Sequence, residues 1–310
     1  MEKNNKIRII FYGTPYFAVP SLKALIEAGY NVVGVVTAPD KKAGRGMKFQ
    51  MSDVKKAAIE LDIPVFQPTN LKSETFQEIL KDLNPSLQIV IAFRMMPVKV
   101  WDFPPMGTFN LHGSLLPKYR GAAPIHHAII NGEKETGVTT FFLKHEIDTG
   151  NVLMSTKCKI EETDTVGSVH DKLMLLGASL VVKTMDGILD ESIVEKEQDY
   201  TENLPHAPKL SKEFCEIDWT KTAPENYNFI RGLNPFPVAR TFLDGKVLKI
   251  YASEKTSIKL AKPIEMQEGK LYIQCTDSAL EIKELQLEGK KRMSTEDFLK
   301  GYLGELVLSA

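Results

Sequence analysis

Cysteine is scarce and scattered in this chain. Cys158, Cys215 and Cys275 are odd in number, lie far apart and form no CxxC pair. That spacing argues against a disulfide framework and against a thiolate zinc site, and leaves buried or half-buried thiols in a reducing compartment as the expectation. An excess of one charge is also missing. The 39 Lys and Arg residues face 40 Asp and Glu, a formal net charge of −1, so any binding to nucleic acid must come from local patches. No apolar run approaches the roughly 20 residues of a membrane span. The opening Met1-Glu2-Lys3-Asn4-Asn5-Lys6 lacks the basic start and apolar stretch of a secretory signal, which makes a cytoplasmic protein the expectation.

The 310 residues, 43% hydrophobic and 25% charged, are too many for one average domain and comfortable for two. A β-rich run over 7–12 ends at Gly13. A helical stretch from Pro20 to Ala28 and a valine-rich run from Asn31 to Val36 follow. Strand, glycine turn, helix, strand is a βαβ unit and implies a parallel sheet. The alternation continues with helices over 52–61 and 73–83, for which Ser52 and Ser73 are plausible N-caps. Ile89 to Phe93 is a continuous apolar run, as in a central strand covered on both faces. Strands follow at 108–111, 138–143 and 152–160, and 166–189 carries helical periodicity. Residues 190–208 are polar, contain Pro205 and Pro208, and read as a linker. Beyond them lie a helix near 224–233 and short alternating runs separated by turns such as Asp244-Gly245. The expected fold is α/β: a Rossmann-like, doubly wound, mainly parallel sheet over 1–189, then a smaller OB-like β-barrel over 209–310.

The first βα turn holds a single glycine, Gly13, followed by Thr14, Pro15 and Tyr16. A dinucleotide site needs G-x-G-x-x-G there, so a nicotinamide oxidoreductase is disfavoured. Chemistry concentrates instead in Phe109-Asn110-Leu111-His112-Gly113. Side chains two apart on a strand share a face, so Asn110 and His112 project together. In open α/β sheets the ligand crevice lies outside the carboxyl ends of the strands, and an amide beside an imidazole there can stabilise an oxyanion. A core histidine satisfied by a neighbouring amide is the competing reading. Asp148, in the polar loop His145-Glu146-Ile147-Asp148-Thr149-Gly150, could orient an imidazole or manage protons. It could equally serve a turn.

Asn110-Leu111-His112, Ser114-Leu115-Leu116-Pro117, Arg120-Gly121 with Ala122-Ala123-Pro124-Ile125, and Asp148-Thr149-Gly150 occur in one order. With Gly13-Thr14-Pro15, Lys209-Leu210-Ser211, Ile217-Asp218-Trp219 and Leu233-Asn234-Pro235-Phe236-Pro237, they make the chain resemble the folate-dependent formyltransferases over nearly its whole length. The resemblance implies 10-formyltetrahydrofolate as formyl donor, catalysis by Asn110, His112 and Asp148, and no metal. It places the folate beside Ser114, Leu115, Leu116 and Pro117, with Phe93, Met95 and Met96 nearby. Arg94 departs from the pattern, which has glycine there, and could cover or bind part of that pocket or form a salt bridge nearby. His126 and His127 are adjacent, which suits a structural or surface role better than a shared metal.

The resemblance is strongest to members whose acceptor is initiator methionyl-tRNA, used in translation initiation; a monomer is the default expectation. Two segments bear on that acceptor. Asp40 to Lys48 is cationic, with Lys41, Lys42, Arg45 and Lys48, and reads as a flexible loop suited to phosphates. Arg45 matches the family's loop arginine by position. Lys290-Lys291-Arg292 is a local cluster in a C-terminal region that is otherwise balanced, with 16 Lys and Arg against 15 Asp and Glu over 209–310. Either could be no more than a solvated face. A small acceptor such as a sugar nucleotide, hydrolysis of formyl-folate, or an inactive RNA-binding relative remain alternatives.

Overall fold

The computed structural model describes residues 6–43, 48–199 and 204–309. Two compact units interleave along the chain. One comprises Met1–Arg120, Gly137–Cys158 and His170–Pro205; the other comprises Gly121–Thr136, Lys159–Val169 and His206–Ala310.

The chain runs through β1 (Arg8–Gly13), α1 (Val19–Glu27), β2 (Asn31–Val36), β3 (Lys41–Ala43), β4 (Lys48–Gln50), α2 (Asp53–Glu60), β5 (Val65–Phe66), α3 (Glu74–Leu83), β6 (Leu87–Ile91), α4 (Val98–Trp101) and β7 (Thr108–His112). Next come β8 (Arg120–Gly121), α5 (Pro124–Ile130), β9 (Glu135–Phe142), β10 (Val152–Lys159), α6 (Val166–Leu189) and β11 (His206–Ala207). The main sheet has the order β10-β9-β7-β6-β1-β2-β5. β1 pairs in parallel with β2 and β6, β2 with β5, and β6 with β7, whereas β9 joins β7 antiparallel. The chain steps outward from β1 to β2 and β5, then returns to the other side of β1. That reversal opens a crevice at the carboxyl ends of β1 and β6.

The apolar runs of the central strands follow from burial on both faces. Ile9, Ile10, Phe11 and Tyr12 are all 0% exposed. Ile10, Tyr12, Val36 and Val90 meet Phe76 and Leu80 of α3 and Val100 of α4. On the other face α6 comes close to β7: a Cβ on Gly177 would stand 2.6 Å from the Leu111 side chain. Thr184 of α6 also shares a 2.8 Å hydrogen bond with Thr140 of β9. The helix starts behave as their sequences suggest. Ser52 and Ser73 accept hydrogen bonds from the backbone N–H groups of Lys55 and Phe76.

The basic stretch over 40–48, expected as a flexible loop, instead begins and ends as a hairpin. Lys41 pairs with Gln50 and Lys42 with Phe49, antiparallel; Arg45 lies outside the described residues. Asp40, at the hairpin's foot, is held by the Lys55 ammonium at 2.6 Å and the Gln67 amide at 2.8 Å. Those two partners keep its carboxyl below the usual carboxylate range.

The second unit contains α7 (Ala223–Leu233), β12 (Ala239–Leu243), β13 (Lys246–Lys255), β14 (Ile264–Gln267), β15 (Lys270–Gln274), β16 (Ala279–Leu287), β17 (Met293–Ser294), α8 (Thr295–Gly301) and β18 (Leu308–Ser309). Its antiparallel sheet has the order β14-β15-β16-β13-β12-β18, with β17 beside β16. Alternate residues turn inward: Leu248, Ile250, Leu271, Ile273, Leu280 and Ile282 join Ile230 and Leu233 of α7 and Phe298 of α8 in one core. Thr222 and Glu225 form a reciprocal capping box at the start of α7. No helix among the described residues is long and apolar enough to cross a membrane.

The adjacent histidines of α5 have structural partners in this unit. The His127 ring packs 5.3 Å from that of Phe214, and its Nε2 meets the Pro208 carbonyl at 3.0 Å. Burial pushes the His127 pKa below its ordinary 6.5, more strongly than the Pro208 hydrogen bond raises it. The unfolded chain therefore binds the proton more readily. The stability His127 contributes is complete above about pH 6.5 and is lost as pH falls toward the depressed folded value. We expect His127→Gln to flatten the pH dependence of stability over that range. Denaturant midpoints measured from pH 7.5 to pH 5 should converge for variant and wild type, and a constant gap would contradict the coupling.

Candidate active site

β7 carries the two residues that sequence spacing placed together. Asn110 and His112 lie on the face opposite Leu111, which packs against α6. Asn110 is half-buried, and its amide makes no hydrogen bond among the described residues. His112 is 6% exposed, and its Nε2 stands 2.8 Å from the Tyr119 carbonyl oxygen. A carbonyl only accepts, so Nε2 carries the hydrogen and donates it. Nδ1 then faces Asp148, whose Oδ2 is 3.8 Å away. That separation is too long for a direct hydrogen bond and within ion-pair range. Sequence spacing could not bring Asp148 to this place; the antiparallel return through β9 and the loop after it does so.

The turn that supplies the Tyr119 carbonyl is itself fixed. Ser114 is fully buried, and its hydroxyl donates to the Lys118 carbonyl at 2.7 Å. Thr139 of β9, opposite His112 in register, donates to the Ser114 carbonyl at 2.7 Å and accepts from Leu116 N–H at 3.2 Å. Leu115, Leu116 and Pro117 are thus presented, half-buried, just beyond the strand end. Thr139 and Tyr119 were not singled out from the sequence. The only trace was the pair Thr139-Thr140, two hydroxyls in a row on the buried stretch of β9.

The Asp148 loop has an unusual backbone. Asp148 has φ 57°, the left-handed region that favours glycine. Two residues on, a Cβ at Gly150 would overlap the Phe142 carbonyl oxygen, which explains the glycine of Asp148-Thr149-Gly150. The Gln198 amide donates to the carbonyls of Asp148 and Gly150, each at 2.8 Å.

A cavity of about 610 Å³ opens at the strand-order reversal, lined by residues that include Thr14, Ala38, Lys41, Thr69, Phe93 and Arg94. The Arg94 guanidinium donates to the carbonyls of Pro68 at 2.5 Å and Thr69 at 3.0 Å. It also lies 5.7 Å from the centre of the Phe93 ring. Arg94 therefore ties the segment after β5 to the segment after β6 and adds a cation to the cavity wall. Met95 turns outward, 76% exposed, while Met96 is buried.

Of the cationic residues expected to meet nucleic acid, Lys41 lines the cavity, while Lys42 and Lys48 belong to the β3–β4 hairpin. In the second unit Lys290 and Lys291 are exposed. Arg292 is engaged by both Glu284 carboxylate oxygens, at 2.6 and 2.5 Å, and stacks 4.1 Å from the Tyr251 ring centre. Among the described residues no group of three His, Cys, Asp or Glu side chains could hold a metal ion.

Comparison with known proteins bears on this arrangement. Residues 5–185 match the family model described as formyl transferase, and residues 209–303 match that of the formyl transferase C-terminal domain. The chain is 48% identical to the methionyl-tRNA formyltransferase of Bacteroides thetaiotaomicron, covering 97% of both chains. It is 51% identical to the methionyl-tRNA formyltransferase of Phocaeicola vulgatus, again over 97% of each. Among solved structures, an N-formyltransferase from Helicobacter canadensis in complex with folinic acid and dTDP-3-aminofucose superposes with a TM-score of 0.68 at 21% identity, covering 93% of this chain and 100% of that one. That last likeness concerns the fold.

The Thr139 hydroxyl carries a checkable weight. Thr139→Val keeps the shape and strands the buried Ser114 carbonyl and the Leu116 N–H, so unfolding free energy should fall by about 1–3 kcal/mol. Urea denaturation would show it as a lower midpoint with an unchanged slope.

Proposed function

Since the chain belongs to the formyl transferase family, matched over residues 5–185 and 209–303, we propose that it transfers a formyl group from 10-formyltetrahydrofolate to the amino group of initiator methionyl-tRNA, for translation initiation. Relatives 48% and 51% identical over 97% of the chain, both methionyl-tRNA formyltransferases, support that choice of acceptor. The observation that carries the chemistry is local. Asn110 presents an unengaged amide beside a buried imidazole, whose only uncommitted nitrogen faces a carboxylate 3.8 Å away.

The donor supplies an activated formyl carbonyl, and its oxygen gains negative charge as the acceptor amine adds to the carbon. The Asn110 N–H and a proton on His112 Nδ1 would meet that charge. Nε2 is committed to Tyr119, so the ring can donate from Nδ1 only as an imidazolium, and the Asp148 carboxylate balances the positive charge. The amine must be neutral to attack; a free α-amine has a pKa of about 7.7–8. Asp148 is the nearby base to take the proton the nitrogen loses. As the oxyanion collapses, the bond from the formyl carbon to the donor nitrogen breaks, that nitrogen takes up a proton, and tetrahydrofolate leaves. No side chain needs to form a covalent intermediate.

In this reading the folate lies against Leu115, Leu116 and Pro117, on the turn that buried Ser114 braces from within, with Phe93 on the neighbouring wall and Met95 at its solvent side. Lys41, Lys42, Arg45 and Lys48 of the basic stretch over 40–48 meet the acceptor end of the tRNA. Residues 209–310, through Lys290, Lys291 and Arg292, hold its phosphates. Residues 1–189 form the catalytic domain and 190–208 the connection between the two. One chain supplies every residue required, so a cytoplasmic monomer suffices.

The test is a transfer assay with labelled 10-formyltetrahydrofolate in which methionyl-tRNA competes with small amines. We expect formyl-methionyl-tRNA as the product; label in a small amine alone would overturn the acceptor. His112→Ala should slow single-turnover transfer by on the order of 10²-fold or more, and near-normal turnover would remove His112 from the mechanism. Arg45→Ala should raise KM for methionyl-tRNA and leave folate binding, followed by fluorescence quenching, unchanged. Equal loss of both would mean that the variant is misfolded.

A further inference from the structure

The segment after α6 carries no catalytic side chain, yet it is bonded to the Asp148 loop at three successive points. Glu195 Oε2 accepts from the Asn151 amide at 2.8 Å. Lys196 and Val152 exchange backbone hydrogen bonds of 2.9 and 2.8 Å. Gln198, 5% exposed, donates both hydrogens of its amide nitrogen to the carbonyls of Asp148 and Gly150, each at 2.8 Å. Two acceptors in front of one amide leave no choice about which atom is nitrogen, because Oε1 in that place would oppose two carbonyl oxygens. The buried Oε1 has no partner among the described residues. The side chain is thus used only as a two-pronged donor.

What it grips is the strained part of the loop. Asp148 has φ 57°, a conformation that a non-glycine residue keeps only when its surroundings impose it. Gly150 is pinned on its other side by the Phe142 carbonyl. Releasing the Asp148 and Gly150 carbonyls would free the backbone to relax toward ordinary φ values. The carboxylate would then leave its station 3.8 Å from His112 Nδ1.

We propose that Gln198 is a positioning residue of the active site, holding the Asp148 carboxylate opposite His112 through the loop's backbone carbonyls. This rests on the reading that Asp148 acts in transfer. Gln198 never meets a substrate in this proposal. Its removal should cost turnover and leave substrate affinity alone, because a misplacement of about 1 Å in a reacting group can cost 10²-fold.

The experiment is a double-mutant cycle in the full-length protein, with single-turnover formyl transfer as the readout. Gln198→Met keeps the volume and removes both donors; Gln198→Glu keeps the shape and opposes the two carbonyls with oxygen. Each should lower the transfer rate by roughly 10- to 100-fold with KM for folate and for tRNA within about twofold of wild type. In the Asp148→Asn background the same changes at Gln198 should have no further effect, since both act on one group. Should Asp148→Asn itself transfer at the normal rate, the reading of Asp148 fails and the proposal with it. Should Asp148→Asn be impaired while Gln198→Met is not, positioning by Gln198 alone is overturned. Full additivity of the two changes, or a matched rise in both KM values, would assign Gln198 a merely structural part. Circular dichroism and thermal melting identify a variant that fails to fold, and the other substitution then decides.

Discussion

A histidine with one nitrogen spent on a backbone carbonyl has a single way left to act, and that commitment organises this site. The 2.8 Å hydrogen bond from His112 Nε2 to the Tyr119 carbonyl fixes the tautomer and the ring plane together. Nδ1 is then the ring nitrogen left uncommitted, and it faces Asp148. The bond holds because its acceptor cannot drift. Tyr119 N–H donates to the Pro205 carbonyl at 2.6 Å, and the turn before it is braced by Ser114 and Thr139. With the exposure of His112 at 6%, water offers little competition for either partner.

Two kinds of constraint meet at this point. The sheet supplies rigidity: Asn110 and His112 sit on a strand paired on both sides, to β6 in parallel and to β9 antiparallel. The Asp148 loop supplies adjustment at the cost of strain, with a left-handed aspartate and a glycine that has no room for a side chain. A carboxylate delivered by a loop can be placed where no strand of the sheet could put it, provided something keeps the loop from relaxing. The backbone exchange between Val152 and Lys196 and the Gln198 amide do that work from the far side.

What could be read from the sequence divides along the same line. The strands of the parallel sheet were legible because their apolar runs and alternations are local. The same period of two put Asn110 and His112 on one face without any tertiary knowledge. The caps at Ser52 and Ser73 were legible because a cap bonds three residues ahead. Asp148 was legible only through family resemblance, because its nearness to His112 is made by a hairpin and leaves no mark on spacing. The β3–β4 hairpin was missed because Lys41-Lys42-Ala43 and Lys48-Phe49-Gln50 are too short and too polar to show a strand period. α8 was missed because seven residues give too little periodicity, although Ser294 caps it through Asp297 N–H.

Gln198 shows why polar stretches deserve the same scrutiny as motifs. Residues 190–208 read as a linker because they are hydrophilic and aperiodic, and composition alone supports nothing more. A linker, however, has no reason to bury an amide, and Gln198 is 5% exposed with both its hydrogens satisfied. Burying an amide whose oxygen has no partner among the described residues costs free energy. A chain under no further demand would be better served by an apolar side chain there, because nothing about the packing requires a donor. The carbonyls of Asp148 and Gly150 do call for one: both accept from the Gln198 amide, and the bond to Gly150 is buried. The glutamine answers a demand set by the backbone of the Asp148 loop.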